Sequence, residues 1–300
     1  MQYLDFFKLA SATDEDNFIL DSAKLDMTCY NLTNAYPFKL FPFRGLSRLT
    51  FAPLTLIYGS NGSGKSTLLN IIAEKLHLVR SAPFNRTPFF EDYLNLCEAG
   101  LSFGRKLPSG SRIITSDDVF DFMLDMRALN EGVSGRREEL FREYDSYNDP
   151  TAPRFQLRSL EDYEELHRRN RARSKSVTRS SFAARELSEE VPGQSNGENG
   201  FAYFTQAIRE NALYLLDEPE NSLSARRQAE LADFVGQAAR FYGCQFIIST
   251  HSPFFVSMPG VKIYDLDARP VAVRKWQELD NVRAYFELFD RHRDEFLQAQ

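Results

Sequence analysis

Residues 59–66 of this 300-residue chain read Gly59-Ser60-Asn61-Gly62-Ser63-Gly64-Lys65-Ser66. The spacing G-x-x-x-x-G-K-S is that of a phosphate-binding loop. An apolar run at 54–58 precedes it and predicts a buried strand, and apolar residues follow at helical spacing from Leu68 to Ile72. Because glycines let the backbone N–H groups wrap an anion at the start of a helix, the stretch predicts a site for the phosphates of ATP or GTP.

Two side chains of the loop have distinct expected roles. Lys65 would reach the β- and γ-phosphates, and the Ser66 hydroxyl would coordinate Mg²⁺. The residues of this segment that we expect to bind nucleotide are Gly59, Ser60, Asn61, Gly62, Ser63, Gly64, Lys65, Ser66 and Thr67.

A second apolar run, at 213–218, ends in the acids Asp217 and Glu218. Ligands of parallel α/β sheets gather at the carboxyl ends of strands, so an acid there faces the phosphate site. We expect Asp217 to hold Mg²⁺ through water and Glu218 to polarise the water that attacks the γ-phosphate.

A third apolar run, at 245–250, is followed by His251. An amphipathic helix from Leu223 to about Arg240 separates it from Asp217. Such a strand–helix–strand unit places its two strands side by side, so His251 is expected at the same edge of the sheet, as a γ-phosphate contact.

These motifs together resemble those of the ATP-binding-cassette (ABC) ATPases, in the soluble branch that includes SMC and RecF-like proteins. The matching pieces are 61–67, Leu216-Asp217-Glu218-Pro219-Glu220 with 221–224, and Ser249-Thr250-His251-Ser252-Pro253. The resemblance implies an α/β P-loop NTPase with a mixed, largely parallel sheet, an N-terminal β-lobe and a short helical subdomain. We expect one ATPase domain over 1–300, divided at 1–117, 118–194 and 195–300.

The resemblance also implies a head-to-tail homodimer, in which a signature loop of one subunit closes the nucleotide site of the other. The best match is the segment 194–200, before a helix expected from Phe201 to about Asn211. There Ser195 would offer its hydroxyl and Gly197 its N–H to the partner's γ-phosphate; a flexible loop is the alternative. The transporter string Leu-Ser-Gly-Gly-Gln is not in the sequence, which disfavours a transporter subunit.

Several further residues have two interpretations each. Ser116 or Asp117 would occupy the magnesium-sensing position of the family or would only cap a helix. Phe41, Phe43 or Arg44 would stack on adenine or, for the aromatics, lie in the core. We interpret Asp265-Leu266-Asp267 as a turn.

Outside the motifs, apolar runs predict the remaining elements. Strands are expected at 18–20, 29–32 and 38–43 in the β-lobe, and at 261–264 and 271–274 near the end. A closing helix is expected at 282–298.

Composition narrows the class of protein. The chain has three cysteines, a net charge of −6 and no 18-residue apolar run, so we expect a cytoplasmic protein with no membrane segment. Residues 167–180 are basic and could contact DNA or RNA, or form a solvated arm, or dock on an acidic partner. The basic side chains are Arg168, Arg169, Arg171, Arg173, Lys175 and Arg179.

The leading hypothesis is therefore a Mg²⁺-dependent ATPase that dimerises on ATP. By resemblance it would regulate a separately encoded effector, such as a nuclease or toxin, in phage defence or DNA repair. The alternative is an ATP-gated scaffold or sensor with negligible turnover.

Overall fold

The structure, a computed structural model, describes residues 1–21, 35–102, 106–149, 162–174, 178–184 and 196–298. The chain divides into two units. The first comprises Met1–Phe120 and Asn196–Gln300, and the second comprises Asp121–Ser195.

The described residues contain nine strands, all of which belong to the first unit. Their bounds are β1 Leu4–Lys8, β2 Arg48–Thr50, β3 Leu54–Tyr58, β4 Glu98–Leu101, β5 Arg112–Thr115, β6 Leu213–Asp217, β7 Gln245–Thr250, β8 Lys262–Asp265 and β9 Ala272–Arg274.

The described residues also contain α-helices. Their bounds are α1 Ala12–Asp21, α2 Lys65–Lys75, α3 Phe90–Leu96, α4 Ser116–Asn148, α5 Asp162–Ala172, α6 Arg179–Ala184, α7 Asn196–Ala207, α8 Ala225–Phe241, α9 Pro253–Val256, α10 Asp280–Arg291 and α11 Arg293–Gln298.

The main sheet has the strand order β5-β6-β7-β3-β8-β9, and only β9 runs antiparallel to its neighbour. Strands β3 and β7 are buried along their whole length, as expected for parallel strands covered on both faces. Tyr58 pairs with Thr250, and Asp217 pairs with Ser249. The ends of β3, β6 and β7 therefore meet at one edge, which confirms the predicted α/β P-loop NTPase fold.

A smaller antiparallel sheet, ordered β2-β1-β4, forms the β-lobe. Buried Gln245 at the start of β7 ties it to the main sheet. The Gln245 amide oxygen accepts hydrogen bonds from the N–H groups of Tyr3 (2.7 Å) and Leu4 (2.8 Å), and its nitrogen donates to the Leu4 carbonyl (2.9 Å).

Two predicted strands of the β-lobe are wrong. Residues 18–20 lie in α1, which starts after a reciprocal cap: the Asp14 N–H donates to Ser11 Oγ (3.1 Å), and the Ser11 N–H donates to the Asp14 carboxylate (3.1 Å). Residues 38–43 form turns and a 3₁₀ turn instead, because Pro42 cannot continue a strand ladder and Lys39 has a positive φ of 66°. The strand expected at 29–32 lies outside the described residues.

The second unit is helical in its described residues. Leu140, Tyr147, Ala172, Phe182 and Ala183 form its core. Most of the arginines proposed for nucleic-acid contact engage groups of the same unit: Arg168 with Glu143 (3.8 Å), Arg169 with Glu165 (2.7 Å), Arg173 with the Tyr147 carbonyl (2.6 Å) and Arg179 with Asp145 (2.8 Å). Lys175 lies outside the described residues.

The C-terminal elements follow the prediction with one change. Strands β8 and β9 form where expected, but the closing helix is two helices, α10 and α11, interrupted at His292. In the described ranges, no helix has both the length and the apolar character that a membrane crossing requires.

Candidate functional site

The phosphate-binding loop links β3 to α2 and depends on its glycines. Gly64, at φ 94°, is the N-cap of α2, and a Cβ there would lie 3.2 Å from Leu40. At Gly59 a Cβ would lie 2.6 Å from Ser63 Oγ, so the loop is too tight for a side chain. Because Gly64 caps the helix, α2 begins at Lys65 and its first N–H groups lie at the loop.

The Lys65 ammonium is buried at the centre of the site. Its Nζ donates hydrogen bonds to the carbonyls of Gly59 (2.7 Å) and Ser60 (3.1 Å). The same atom lies 3.2 Å from Oε1 of Glu218, the residue that follows the end of β6. The lysine side chain is only 3% exposed, so this buried charge depends on its partners.

Ser66 and Asp217 meet as the predicted metal ligands would. Ser66 Oγ donates to Asp217 Oδ1 at 3.1 Å, and Ser249 Oγ donates to the same oxygen. Burial raises the pKa of the Asp217 carboxyl above its ordinary value, although the hydrogen bonds from Ser249 and Ser66 act in the opposite direction.

The Ser66 hydroxyl and the Asp217 carboxylate are suitable ligands for Mg²⁺. A hydroxyl and a desolvated carboxylate are hard oxygen ligands, and a divalent cation would offset the burial of the Asp217 charge. Among the residues that the structure describes, no three acidic, His or Cys groups form a protein-only metal cage. A site with one carboxylate is typical of Mg²⁺ that is bound together with substrate phosphates.

Glu218 is held in a strained backbone conformation. Its φ of 47° is unusual for a residue with a side chain, and its N–H donates to both the carbonyl (3.1 Å) and Oγ (3.0 Å) of Ser249. Burial alone would raise the pKa of Glu218, but hydrogen bonds from Asn221 and Lys65 and the Lys65 charge outweigh it and lower the pKa. Glu218 is therefore an ionised carboxylate at neutral pH.

His251 follows β7, as predicted. It contacts the buried carboxylate of Glu220, to which the sequence analysis gave no role. Glu220 Oε1 accepts hydrogen bonds from the His251 N–H (2.7 Å) and the Thr250 hydroxyl (2.7 Å), and it lies 3.3 Å from His251 Nδ1. Burial raises the pKa of Glu220, although these hydrogen bonds oppose the shift. The signal available in the sequence was the third acid of Asp217-Glu218-Pro219-Glu220.

Two adjoining cavities open on the loop. One, of about 390 Å³, is lined by the residues of 61–67, Tyr36, Leu40 and Glu218. The other, of about 540 Å³, extends from Ser66, Thr67 and Asp217 to Arg80, Ser116 and Asp117. Both volumes are in the range of small-molecule sites.

Two other residues support the loop from outside. The Asp267 carboxylate accepts hydrogen bonds from the N–H (2.7 Å) and the hydroxyl (2.9 Å) of Ser60. Arg44 donates to the carbonyls of Leu266 (2.9 Å) and Gly62 (3.3 Å). Asp267 therefore does more than form the predicted turn.

For some of the residues that had two interpretations in the sequence analysis, the structure decides between the two. Phe41 is fully buried in the core and cannot stack on a base, whereas Phe43 is 79% exposed. Neither Ser116 nor Asp117 caps α4. Thr115 and Asp118 do so, since the Thr115 N–H and hydroxyl donate to the Asp118 carboxylate at 2.7 and 2.8 Å. Ser116 and Asp117 line the larger cavity instead.

The expected signature loop is only partly described. Gly197 lies in the first turn of α7, which begins at Asn196, five residues before the expected helix start at Phe201. Ser195 lies outside the described residues.

Comparison with solved structures gives distant likenesses. The SMC head domain from Thermotoga maritima is 14% identical, with a TM-score of 0.39, over 92% of this chain and 99% of that chain. The Smc head domain from Pyrococcus furiosus bound to the C-terminal domain of ScpA is 13% identical, with a TM-score of 0.41, over 96% and 100%. A dimeric bacterial ABC transporter cassette is 14% identical, with a TM-score of 0.38, over 76% and 88%.

A search of curated proteins finds no match. The sequence model of the family described as "AAA domain, putative AbiEii toxin, Type IV TA system" matches residues 105–257, just over half of the chain. That match and the arrangement of the loop, Asp217-Glu218 and His251 around one sheet edge confirm the resemblance to ABC- and SMC-like P-loop ATPases. The chain belongs to this AAA-domain family.

Proposed function

We propose that the chain binds Mg²⁺–ATP in the loop cavity and hydrolyses it. One observation carries the proposal: four side chains with complementary roles converge where β3 and β6 end. Ser66 Oγ lies 3.1 Å from Asp217 Oδ1, and Lys65 Nζ lies 3.2 Å from Glu218 Oε1.

Each group has a chemical task in that reaction. The loop N–H groups and Lys65 bind the phosphate oxygens, and Ser66 and Asp217 would hold Mg²⁺. When bound, Mg²⁺ neutralises charge on the transferring phosphoryl group. Glu218, ionised because its pKa is lowered, orients the attacking water and accepts its proton.

The Lys65–Glu218 ion pair gives this proposal a switching step. The γ-phosphate attracts the Lys65 ammonium away from the carboxylate, which leaves Glu218 available to the water. His251, held by Glu220, contacts the γ-phosphate from the end of β7.

We further propose that ATP drives head-to-tail homodimerisation, with Ser195 and Gly197 of a second copy closing each site. The position of Gly197 in the first turn of α7 supports this, because helix N-termini bind anions. The family description names a toxin and a type IV TA system. We therefore also propose that the chain regulates a separately encoded effector, a nuclease or toxin, in phage defence or DNA repair. DNA or RNA is proposed as a partner of the basic side chains in 167–180.

The test is the Glu218→Gln variant, with Glu210→Gln, at an exposed glutamate, as its matched control. Glu218→Gln should bind ATP but hydrolyse it about 10²- to 10⁴-fold more slowly. It should also accumulate as an ATP-dependent dimer by light scattering, whereas Glu210→Gln should behave as wild type.

Two outcomes would contradict this. Unchanged hydrolysis by Glu218→Gln would exclude Glu218 as the base. ATP binding by the wild type without turnover, with or without DNA, would instead support the scaffold or sensor.

A further inference from the structure

The last two helices present an apolar surface that the nucleotide site does not use. Its six side chains, here called the C-terminal seam, are each between 45% and 64% exposed: Tyr285, Phe286, Leu288, Phe289, Phe296 and Leu297. Large exposed apolar patches on a folded protein mark interaction sites.

Helix α10 contacts the rest of the first unit chiefly through its first turn. Leu279, just before it, is fully buried and Val282 is 8% exposed. The Asn281 N–H donates to the Tyr58 hydroxyl at 3.4 Å, and the remaining residues of the helix are exposed. Helices of 12 and six residues are marginal in water by themselves, so α10 and α11 need an apolar cover.

The spacing of the seam indicates what covers it. Three seam residues, Tyr285, Phe289 and Phe296, are spaced with His292 at intervals of four, three and four residues, the pattern of a coiled-coil interface. The rings of Phe289 and Phe296 meet edge to face, 6.0 Å between centroids, so the stripe continues across the break between the two helices.

The charges beside the seam do not select a charged partner. Arg293 pairs with Asp290 at 2.6 Å, and His292 lies 2.8 Å from Glu295. Acidic and basic side chains are both present on these helices, which is unlike the basic face that DNA or an anionic membrane requires. The recognition must therefore come from the apolar stripe.

The area suits a dimer. A buried aromatic side chain covers about 150–250 Å², so six large side chains with roughly half their surface exposed offer about 600 Å². A stable interface buries about 800 Å² on each partner, which the flanking polar side chains would complete.

We propose that the seam binds the same seam of a second copy of this chain, as a two-fold helix pair that forms without nucleotide. A two-fold axis brings an identical apolar stripe onto each partner and leaves the Arg293–Asp290 pair at the rim. This contact is separate from the ATP-dependent closure proposed above and does not depend on it.

The test compares nucleotide-free proteins by size-exclusion chromatography with light scattering, over a dilution series. The wild type should be a dimer, and Phe286→Glu/Phe289→Glu should be a monomer with its dimer dissociation constant raised at least 100-fold. Phe241→Glu is the matched control, because Phe241 is 69% exposed at the end of α8 and outside the seam. It should dimerise as wild type does.

A second variant, Phe296→Glu in α11, guards against misfolding of α10, and circular dichroism and Mg²⁺–ATP binding report the fold of each variant. A folded Phe296→Glu should also dimerise at least tenfold more weakly. The proposal would be overturned if the wild type were monomeric without nucleotide, even if the seam then bound a different protein. Folded seam variants that dimerise as the wild type does would also overturn it.

Discussion

The carboxylate of Glu220 fixes the position of His251. Glu220 Oε1 accepts a 2.7 Å hydrogen bond from the His251 N–H and lies 3.3 Å from Nδ1 of the same residue. Its side chain is only 4% exposed, whereas that of His251 is 41% exposed. The partly exposed histidine is therefore held by a buried carboxylate.

Replacing Glu220 with Ala should slow hydrolysis more than it weakens ATP binding. The change removes the acceptor for Thr250 and His251, and a misplacement of about 1 Å can cost about 100-fold in rate. Steady-state kinetics should show kcat lowered at least tenfold with the dissociation constant for ATP changed less than threefold. Glu220→Gln keeps an acceptor oxygen and should retain most activity; equal loss in both variants would show that the charge, and not the position of His251, matters.

Replacing Asp217 with Asn should abolish the advantage that Mg²⁺ gives to ATP binding. The amide preserves an acceptor for Ser66 and Ser249 but is a poor ligand for a hard cation. ATP affinity measured in Mg²⁺ should fall close to the value in EDTA, and turnover should fall by about 100-fold or more, because Mg²⁺ supplies several kcal/mol of transition-state stabilisation. The exposed Asp233→Asn variant is the control, and an undiminished magnesium effect in Asp217→Asn would remove Asp217 from the metal site.

Glu15 should make the stability of the first unit depend on pH. Its Oε2 accepts a 2.6 Å hydrogen bond from the Lys39 N–H, and its Oε1 has no hydrogen-bond partner among the described residues. Burial raises the pKa of Glu15 above 4.5, despite the opposing contact with Lys39. The stabilisation by the protonated form is therefore complete below about pH 4.5 and is lost as pH rises through the folded-state pKa.

Urea unfolding at pH 5 and pH 8 tests this prediction. Because burial disfavours the ionised carboxylate, the free energy of unfolding of the wild type should be lower at pH 8 than at pH 5. Glu15→Gln should lose less free energy of unfolding between the two pH values than wild type does, whereas the exposed Glu131→Gln should match wild type. An unchanged pH dependence in Glu15→Gln would contradict the account.

The sequence predicted those parts of the site whose residues are brought together by a short segment or by the order of neighbouring strands and helices. The phosphate-binding loop is a continuous segment, and the strand–helix–strand rule was enough to bring His251 to the edge where Asp217 lies. Asp267 was missed because its contact with Ser60 joins residues 207 positions apart, and no local pattern reports such a pairing. Ser249 could have been found, since it pairs with Asp217 across two predicted neighbouring strands.

The errors in the fold have a similar cause. Three apolar residues at 18–20 fit a strand or a helix, and the Ser11–Asp14 cap that decides for the helix lies outside that window. The two prolines near 38–43 were the corresponding signal for turns.

Isothermal titration calorimetry of the purified chain with Mg²⁺–ATP tests the central claim most directly. The account predicts saturable binding by the wild type and by the exposed-lysine control Lys106→Ala. It predicts about 10- to 150-fold weaker binding by Lys65→Ala, because a charge-assisted hydrogen bond contributes about 1.5–3 kcal/mol. Absence of binding to the wild type, or equal binding to Lys65→Ala, would contradict it.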